Sequence, residues 1–227
     1  MRPRASHAPA WLALLVALPV ASCSAGPSPT PRVPCPTSAP TPAQAATLLA
    51  GSDQAVVTTN KGGFTITLYG GRAPIAAANF VALAQCGFYD GISFHRVLAG
   101  FVAQAGDPQT KTNHGDFAGL GSGGPGYAFS IEPVAPDLRY DRYAVVMANA
   151  AQPNTNGSQF FIDLADLNGQ LTRDYTIFGI VSRGTDTVDA IARVPVNDPR
   201  IGLPLDPVII QSILVGKGPS VSPAPSG

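Results

Sequence analysis

Several side chains in this sequence could do chemistry, and their spacing decides which reactions are open to them. His95 and Asp107 could form an acid–base pair, but the chain has neither the GxSxG nor the HExxH pattern of a hydrolase. The glycine-rich residues 121–126 are not followed by the lysine and hydroxyl residue of a phosphate-binding loop. The 3 cysteines and 3 histidines show no zinc-ligand spacing. We therefore expect no hydrolase, phosphate or metal site, and we interpret His95 as structural.

Charge excludes a second group of functions. The 227 residues contain 14 basic and 14 acidic side chains, which gives a formal net charge of +0. No stretch is rich in lysine or arginine, so nucleic acid is not an expected partner, and neither is a polybasic membrane contact. The hydrophobic fraction of 45% is sufficient for one sizeable core.

The short run Gln159, Phe160, Phe161 and Ile162 indicates which side of a strand meets a ligand. Successive side chains of a strand point to opposite faces, so Gln159 shares one face with Phe161. A polar and aromatic pair suits a binding surface, whereas the apolar pair on the other face suits a core. Arg96, taken alone, would be a surface residue; the residues around it change that interpretation.

Two segments resemble the two signature stretches of the cyclophilins. They are residues 94–107, FHRVLAGFVAQAGD, and residues 147–162, MANAAQPNTNGSQFFI. Further matches follow in the same order along residues 54–216: Asn79 with Phe80, and residues 88–91, 123–127, 167–169 and 178–179. The resemblance implies a peptidyl-prolyl cis/trans isomerase that rotates X-Pro bonds of polypeptide substrates.

The resemblance also implies a role for each site residue. Arg96 corresponds to the catalytic arginine, with Phe101 and Gln104 beside it. The positions that it assigns to substrate binding are Val102, Ala148, Asn149, Gln159, Phe161, Leu167 and Tyr175. Tyr175 stands where members of the family often have histidine. The sequence also departs from the family in two loops, which are lengthened at residues 151–152 and 170–174.

The implied reaction needs no nucleophile, cofactor or metal. Rotation about the bond breaks amide resonance, with a barrier of ~18–20 kcal/mol, and the twisted nitrogen regains a lone pair. Arg96 can donate a hydrogen bond to that lone pair, which the planar amide does not offer. A charge-assisted bond of ~1.5–3 kcal/mol corresponds to roughly tenfold to hundredfold in rate. Because no proton is transferred, we expect a rate that is independent of pH from about 6 to 9.

The elements that position these residues are short. The resemblance implies a mostly β fold, a closed eight-stranded antiparallel cyclophilin-like barrel capped by two α-helices. Independently, the sequence pattern predicts a hairpin over residues 55–69 and a helix from Pro74 to Gln85, with Gly87 past its end. It predicts a second helix over residues 187–193, capped by Thr185 or Asp186. Further strands are expected at residues 93–98, 101–105, 127–130, 144–148, 159–163, 176–181 and 208–215.

The N-terminus resembles that of an exported lipoprotein. Two arginines precede an apolar run at residues 11–20, far shorter than the ~20 residues of a membrane span, which predicts a signal peptide over residues 1–22. Residues 20–23, VASC, resemble a lipobox, which implies a lipid on Cys23, an acylated N-terminus and an extracytoplasmic location on the cell membrane. The alternative is an ordinary signal peptide followed by an unrelated cysteine.

The remaining chain divides into three parts. Residues 23–43 are expected to be the lipidated cysteine and a Pro-rich linker, residues 44–216 the isomerase domain, and residues 217–227 a disordered tail. We expect a monomer. Cys86 is interpreted as a buried free thiol, with a disulfide to Cys35 as the alternative. Two alternatives to the enzyme are a non-catalytic module that binds proline peptides and a lipoprotein that captures small solutes.

Overall fold

The computed structural model describes residues 32–113 and 119–218, so Cys23 and the predicted signal peptide lie outside the described residues. The helices are α1 (Pro42–Ala50), α2 (Pro74–Gln85) and α3 (Thr185–Ile191), with a 3-10 turn at Pro108–Lys111. The strands are β1 (Gln54–Thr59), β2 (Gly62–Leu68), β3 (Arg96–Val97), β4 (Val102–Ala105), β5 (Ala144–Met147), β6 (Phe160–Asp163), β7 (Ile177–Arg183) and β8 (Ile210–Gly216). Within the described ranges, no helix has the length and apolar character of a membrane span.

All eight strands join one antiparallel sheet, as predicted. Their order is β3-β4-β6-β5-β7-β2-β1-β8, with the β1–β2 hairpin near one end. The end strands β3 and β8 form no ladder with each other in the described chain. Near this gap the structure has an isolated bridge between Ser93 and Ile209 and a bond of 2.9 Å from the Phe94 N–H to the Val208 carbonyl. The described sheet is thus an open half-barrel, and the closure of the predicted barrel is not confirmed.

Helix α2 covers the core face of the sheet. It begins at Pro74, as predicted, but Ala73 before it has no capping side chain. The carboxylate of Glu132 caps it instead, accepting bonds of 2.9 and 2.7 Å from the backbone N–H groups of Ile75 and Ala76. On its buried side, the ring of Phe80 packs against those of Phe160 and Phe178 at 5.5 and 5.2 Å. Each such buried ring contributes about 1.5–3 kcal/mol.

Three local predictions differ from the structure. The predicted strand at residues 127–130 is reduced to one bridge, between Phe129 and Asn156, and the carbonyl of Ser130 accepts from the Asn156 side chain rather than from a strand. Helix α3 begins at Thr185 with Gly184 as its N-cap, so neither Thr185 nor Asp186 is the cap. The structure also has a third helix besides the two predicted ones. This helix, α1, precedes α2, and its N-cap residue Thr41 exchanges hydrogen bonds with Gln44.

The interpretation of Cys86 as a free thiol is wrong, and the alternative is correct. Cys86 ends α2 and forms a disulfide with Cys35, which lies 51 residues earlier. Arg32 adds an ion pair with Asp90 beyond the same helix end. The sequence pattern could not decide this pairing, because it depends on where the Pro-rich segment returns to the domain. The segment before α1 is therefore fastened to the domain.

Candidate active site

The register of three strands brings the predicted catalytic residues into one row. Arg96 on β3 pairs with Gln104 on β4, and Gln104 pairs in turn with Phe161 on β6. Directly paired residues project their side chains to the same face of a sheet. The row therefore places a cation, an amide and an aromatic ring side by side, although they are far apart in the sequence.

A pocket of about 140 Å³ opens on this row. Its lining consists of Arg96, Phe101, Val102, Gln104, Ala148, Asn149, Phe161, Leu171 and Tyr175. The floor is apolar, since Val102 and Phe161 are only 2% and 5% exposed. The ring of Tyr175 stands edge-on to Phe161 at 5.9 Å and forms one wall. A compact apolar ring bound in this pocket would lie next to Arg96, whose side chain stands at the rim of the pocket.

Arg96 is half-buried and has no carboxylate partner among the described residues. Its guanidinium carbon lies 5.7 Å from the centroid of the Phe101 ring, a cation–π distance that orients it. Partial burial lowers the pKa of Arg96, but a guanidinium remains protonated in proteins. The N–H groups of Arg96 are therefore available to a ligand rather than committed to an ion pair.

Two glutamines join the row to a neighbouring loop. The Gln104 amide donates a bond of 2.9 Å to the Gln159 carbonyl oxygen. The Gln159 amide in turn donates bonds of 2.9 and 2.7 Å to the carbonyls of Gly121 and Gly123. Because Gln104 uses its nitrogen here, its carbonyl oxygen can accept a hydrogen bond from a peptide N–H. The side chains of residues 159–162 alternate between the two faces of the sheet as expected. Gln159 and Phe161 line the two pockets, and Phe160 and Ile162 lie in the core.

The glycine-rich loop forms the wall of a second pocket, of about 510 Å³, beside the first. Asp107 holds this loop by accepting bonds of 2.6 and 3.2 Å from the N–H groups of Gly121 and Gly123. A side chain at position 123 would collide with Asp107, since its Cβ would lie 2.1 Å from the carboxylate. Because these N–H groups already donate to Asp107, they are not available to a phosphate, which supports the expectation that the loop is not a phosphate-binding loop. Gln104, Ala148 and Asn149 line both pockets.

His95 is buried below this loop and does not line either pocket. Desolvation lowers the pKa of His95 to about 4, although the charge of Asp107 opposes the shift. The imidazole is therefore neutral at pH 7, and it does not reach a ligand in either pocket. This arrangement fits the structural role expected for it.

Two predicted binding residues do not line the pocket of about 140 Å³: Gln159 lines the second pocket instead, and Leu167 lines neither. Leu167 is fully buried in the apolar cluster below, and Leu171 takes its place on the wall. The reason is the lengthened loop, which turns back so that the N–H of Leu171 bonds to the Leu167 carbonyl at 3.1 Å. The sequence shows both leucines in one loop, but the choice between them depends on the conformation of that loop.

Comparisons with known proteins agree with this geometry. A family model described as "Cyclophilin type peptidyl-prolyl cis-trans isomerase/CLD" matches residues 55–215. Peptidyl-prolyl cis-trans isomerase A of Mycobacterium tuberculosis is 41% identical over 181 residues, which cover 71% of this chain and 91% of the relative. Peptidyl-prolyl cis-trans isomerase B of Streptomyces anulatus is 42% identical over 179 residues, covering 71% and 95%.

Solved structures give the same result. A cyclophilin type peptidyl-prolyl cis-trans isomerase of Cryptosporidium parvum is 35% identical and has a TM-score of 0.64. The comparison covers 74% of this chain and 99% of that chain. A second structure of the same protein, in the presence of the dipeptide Ala-Pro, has a TM-score of 0.63 at 35% identity and covers 73% and 99%.

Proposed function

Since this chain belongs to the cyclophilin family and is a peptidyl-prolyl cis-trans isomerase, we propose that the row of Arg96, Gln104 and Phe161 performs the catalysis. We further propose that the substrates are proline-containing segments of exported proteins and that the enzyme assists their folding. One observation supports the catalytic assignment above all others. Arg96 has no carboxylate partner in the described chain and stands at the rim of a pocket with an apolar floor.

The pocket takes the proline ring in this proposal. Val102 and Phe161 form its floor and Phe101 and Tyr175 its sides. A related structure was obtained in the presence of Ala-Pro, which supports a proline-containing ligand for this fold. Gripping the ring fixes one side of the X-Pro bond, so that rotation moves the carbonyl on the other side.

Arg96 and the apolar pocket floor favour the twisted amide over the planar one. The twisted nitrogen has a lone pair to which the Arg96 guanidinium can donate, and this bond exists only near the transition state. The twisted amide is also less polar than the planar amide, so an apolar floor stabilises it relative to the ground state. Gln104, oriented by Gln159, would hold a peptide group of the substrate beside the moving bond.

The folding role is tested on a secreted protein whose refolding is limited by X-Pro isomerisation. Catalytic amounts of the full chain should accelerate the slow refolding phase, which takes ~10–100 s when uncatalysed. The Arg96→Ala variant is the matched control and should accelerate it far less. A slow phase that the wild-type chain leaves unchanged, while the same chain isomerises short peptides, would show that folding polypeptides are not its substrates.

The proposed location is outside the cytoplasm, with a lipid on Cys23. The Cys35–Cys86 disulfide supports an oxidising compartment, because such bonds seldom persist in a reducing cytosol. The short apolar run before Cys23 and the sequence VASC support export and lipidation.

Replacing Cys23 with alanine is expected to release the protein from membranes, because the acceptor thiol of the lipid is then absent. The measurement is fractionation of cells that express the wild-type chain or the variant, followed by immunoblotting. Cys86→Ala serves as the control and should stay with the membrane fraction. Membrane association of the Cys23→Ala variant equal to that of the wild-type chain would contradict the lipid anchor on Cys23.

A further inference from the structure

Asp163 is a buried acid that the reaction described above does not use. It is the last residue of β6 and is 0% exposed. Neither of its carboxylate oxygens has a hydrogen-bond partner among the described residues. A buried carboxylate without a partner is costly when it is charged, so it shifts its pKa and takes up a proton instead.

Its position links it to the proline pocket. Asp163 lies two residues after Phe161, so both side chains project from the same face of β6. In the sheet register Asp163 pairs with Val102, which forms the pocket floor together with Phe161. The next residue, Leu164, donates a bond of 2.8 Å to the carbonyl of Phe101, another pocket residue. The end of β6 that carries Asp163 is therefore tied to three residues of the pocket.

Among the described residues, no cation pairs with the carboxylate of Asp163. Burial raises the pKa of Asp163 to about 8, and the negative charge of Asp141 on the segment before β5 adds to the shift. The same segment carries Tyr140 and Tyr143, and burial is the main cause that raises the pKa of both phenols, that of Tyr140 to about 12. Its two arginines are paired with other acids, Arg139 with Asp141 and Arg142 with Asp189. Strand β4 contributes the apolar Val102, and the segment after β6 contributes Asp166, whose carboxylate accepts from Asn168. At pH 7 Asp163 is therefore mostly neutral.

We propose that protonated Asp163 is a positioning residue that keeps the floor of the proline pocket packed and dry, and that its ionisation switches the isomerase off. This inference rests on the proposed role of the pocket. An ionised carboxylate at this site needs water or a cation, and the described residues offer only another acid, Asp141. Water or a displaced strand end would then reach Val102 and Phe161. The pocket would lose the apolar character that favours the twisted amide.

The test is the pH profile of kcat/KM in a protease-free assay of X-Pro isomerisation with the full chain. The reaction alone predicts a rate that is independent of pH from about 6 to 9, and the ionisation of Asp163 changes that expectation. The wild-type value should be nearly constant from about pH 6 to 7 and then fall with a single midpoint near the pKa of about 8. At pH 9.5 it should be roughly thirtyfold below its value at pH 7, because only the neutral fraction remains active. The uncatalysed rate is an internal reference, since the peptide amide does not titrate in this range.

The variants Asp163→Asn and Asp163→Val remove the ionisation in a polar and in an apolar form. Both should give profiles without the alkaline fall, whatever their activity at pH 7. Asp166→Asn, which changes an exposed neighbouring acid, should retain the fall. The same alkaline fall in the wild-type chain and in both Asp163 variants would overturn the proposal, as would a wild-type profile that stays constant to pH 9.5.

A measurement on the wild-type chain does not depend on the folding of any variant. The carboxyl carbon of Asp163, followed by NMR, should titrate with the same midpoint as the amide signals of Val102 and Phe161. Amide signals that do not move with Asp163 would overturn the coupling, even if the chain showed no isomerase activity. A chain that is inactive at pH 7 but shows this coupled titration would instead overturn the proposed function of the pocket.

Discussion

Arg96→Ala is expected to lower kcat for X-Pro isomerisation by roughly tenfold to a hundredfold, which is the rate equivalent of one charge-assisted hydrogen bond of ~1.5–3 kcal/mol. The bond is made to the twisted nitrogen and not to the planar amide, so its loss should affect kcat much more than peptide binding. The pocket floor of Val102 and Phe161 is unchanged in this variant and should still hold the proline ring.

The measurement is kcat and the peptide dissociation constant for the wild-type chain, Arg96→Ala and Arg96→Lys. Lysine retains the charge but lacks the planar fork of donors that can be held over the Phe101 ring, so it should recover only part of the rate. Arg72→Ala is a matched control, because Arg72 is exposed and pairs with Asp137 away from the pocket. Loss of peptide binding with an unchanged kcat in Arg96→Ala would contradict the transition-state role of the arginine.

Asp163→Asn is expected to stabilise the fold by an amount that grows with pH. The pKa of Asp163 rises from an ordinary 3.8 when unfolded to about 8 when folded. Between these values the folded state holds a proton that the unfolded state has lost, so stability falls as pH rises. This cost is absent below about pH 4, increases by at most ~1.4 kcal/mol per pH unit and is complete above about pH 8. Asparagine has no such pH-dependent cost, so the free energy of unfolding of the variant should gain about 6 kcal/mol on the wild-type chain between about pH 4 and pH 8.

Urea unfolding of both proteins at pH 4.5, 6 and 7.5 measures this difference. The free energies of unfolding should be separated least at pH 4.5 and most at pH 7.5. Asp166→Asn is the control, since Asp166 is exposed and the bonds from Asn168 lower its pKa, so its replacement should not stabilise the fold. A separation between Asp163→Asn and the wild-type chain that is constant over the three pH values would show that Asp163 does not carry a raised pKa.

The parts of the site that could be predicted from the sequence depend on local patterns or on the cyclophilin resemblance. Alternation alone assigned Gln159 and Phe161 to the ligand face, because a strand has a fixed period of two. The role of Arg96 came from the resemblance, since a lone arginine on a strand is usually a surface residue. The row that it forms with Gln104 and Phe161 depends on the register between strands, which no local pattern encodes.

What the sequence could not predict depends on the path of the chain in three dimensions. Leu171 replaces Leu167 on the pocket wall because a lengthened loop turns back. Cys86 meets Cys35 because the segment before α1 returns to the end of α2. Asp163 has the polarity of a surface residue, and only the three-dimensional structure shows that it is buried.

The most direct test of the catalytic account is the rate of cis–trans exchange in an Ala-Pro-Phe test peptide at pH 7, measured by exchange NMR with catalytic amounts of the full chain. The account predicts that the wild-type chain makes exchange fast and that the Arg96→Ala variant, at the same concentration, accelerates exchange only a little. Both proteins should bind the peptide. Peptide binding by the wild-type chain without faster exchange would contradict it and would leave a module that holds proline segments without rotating them.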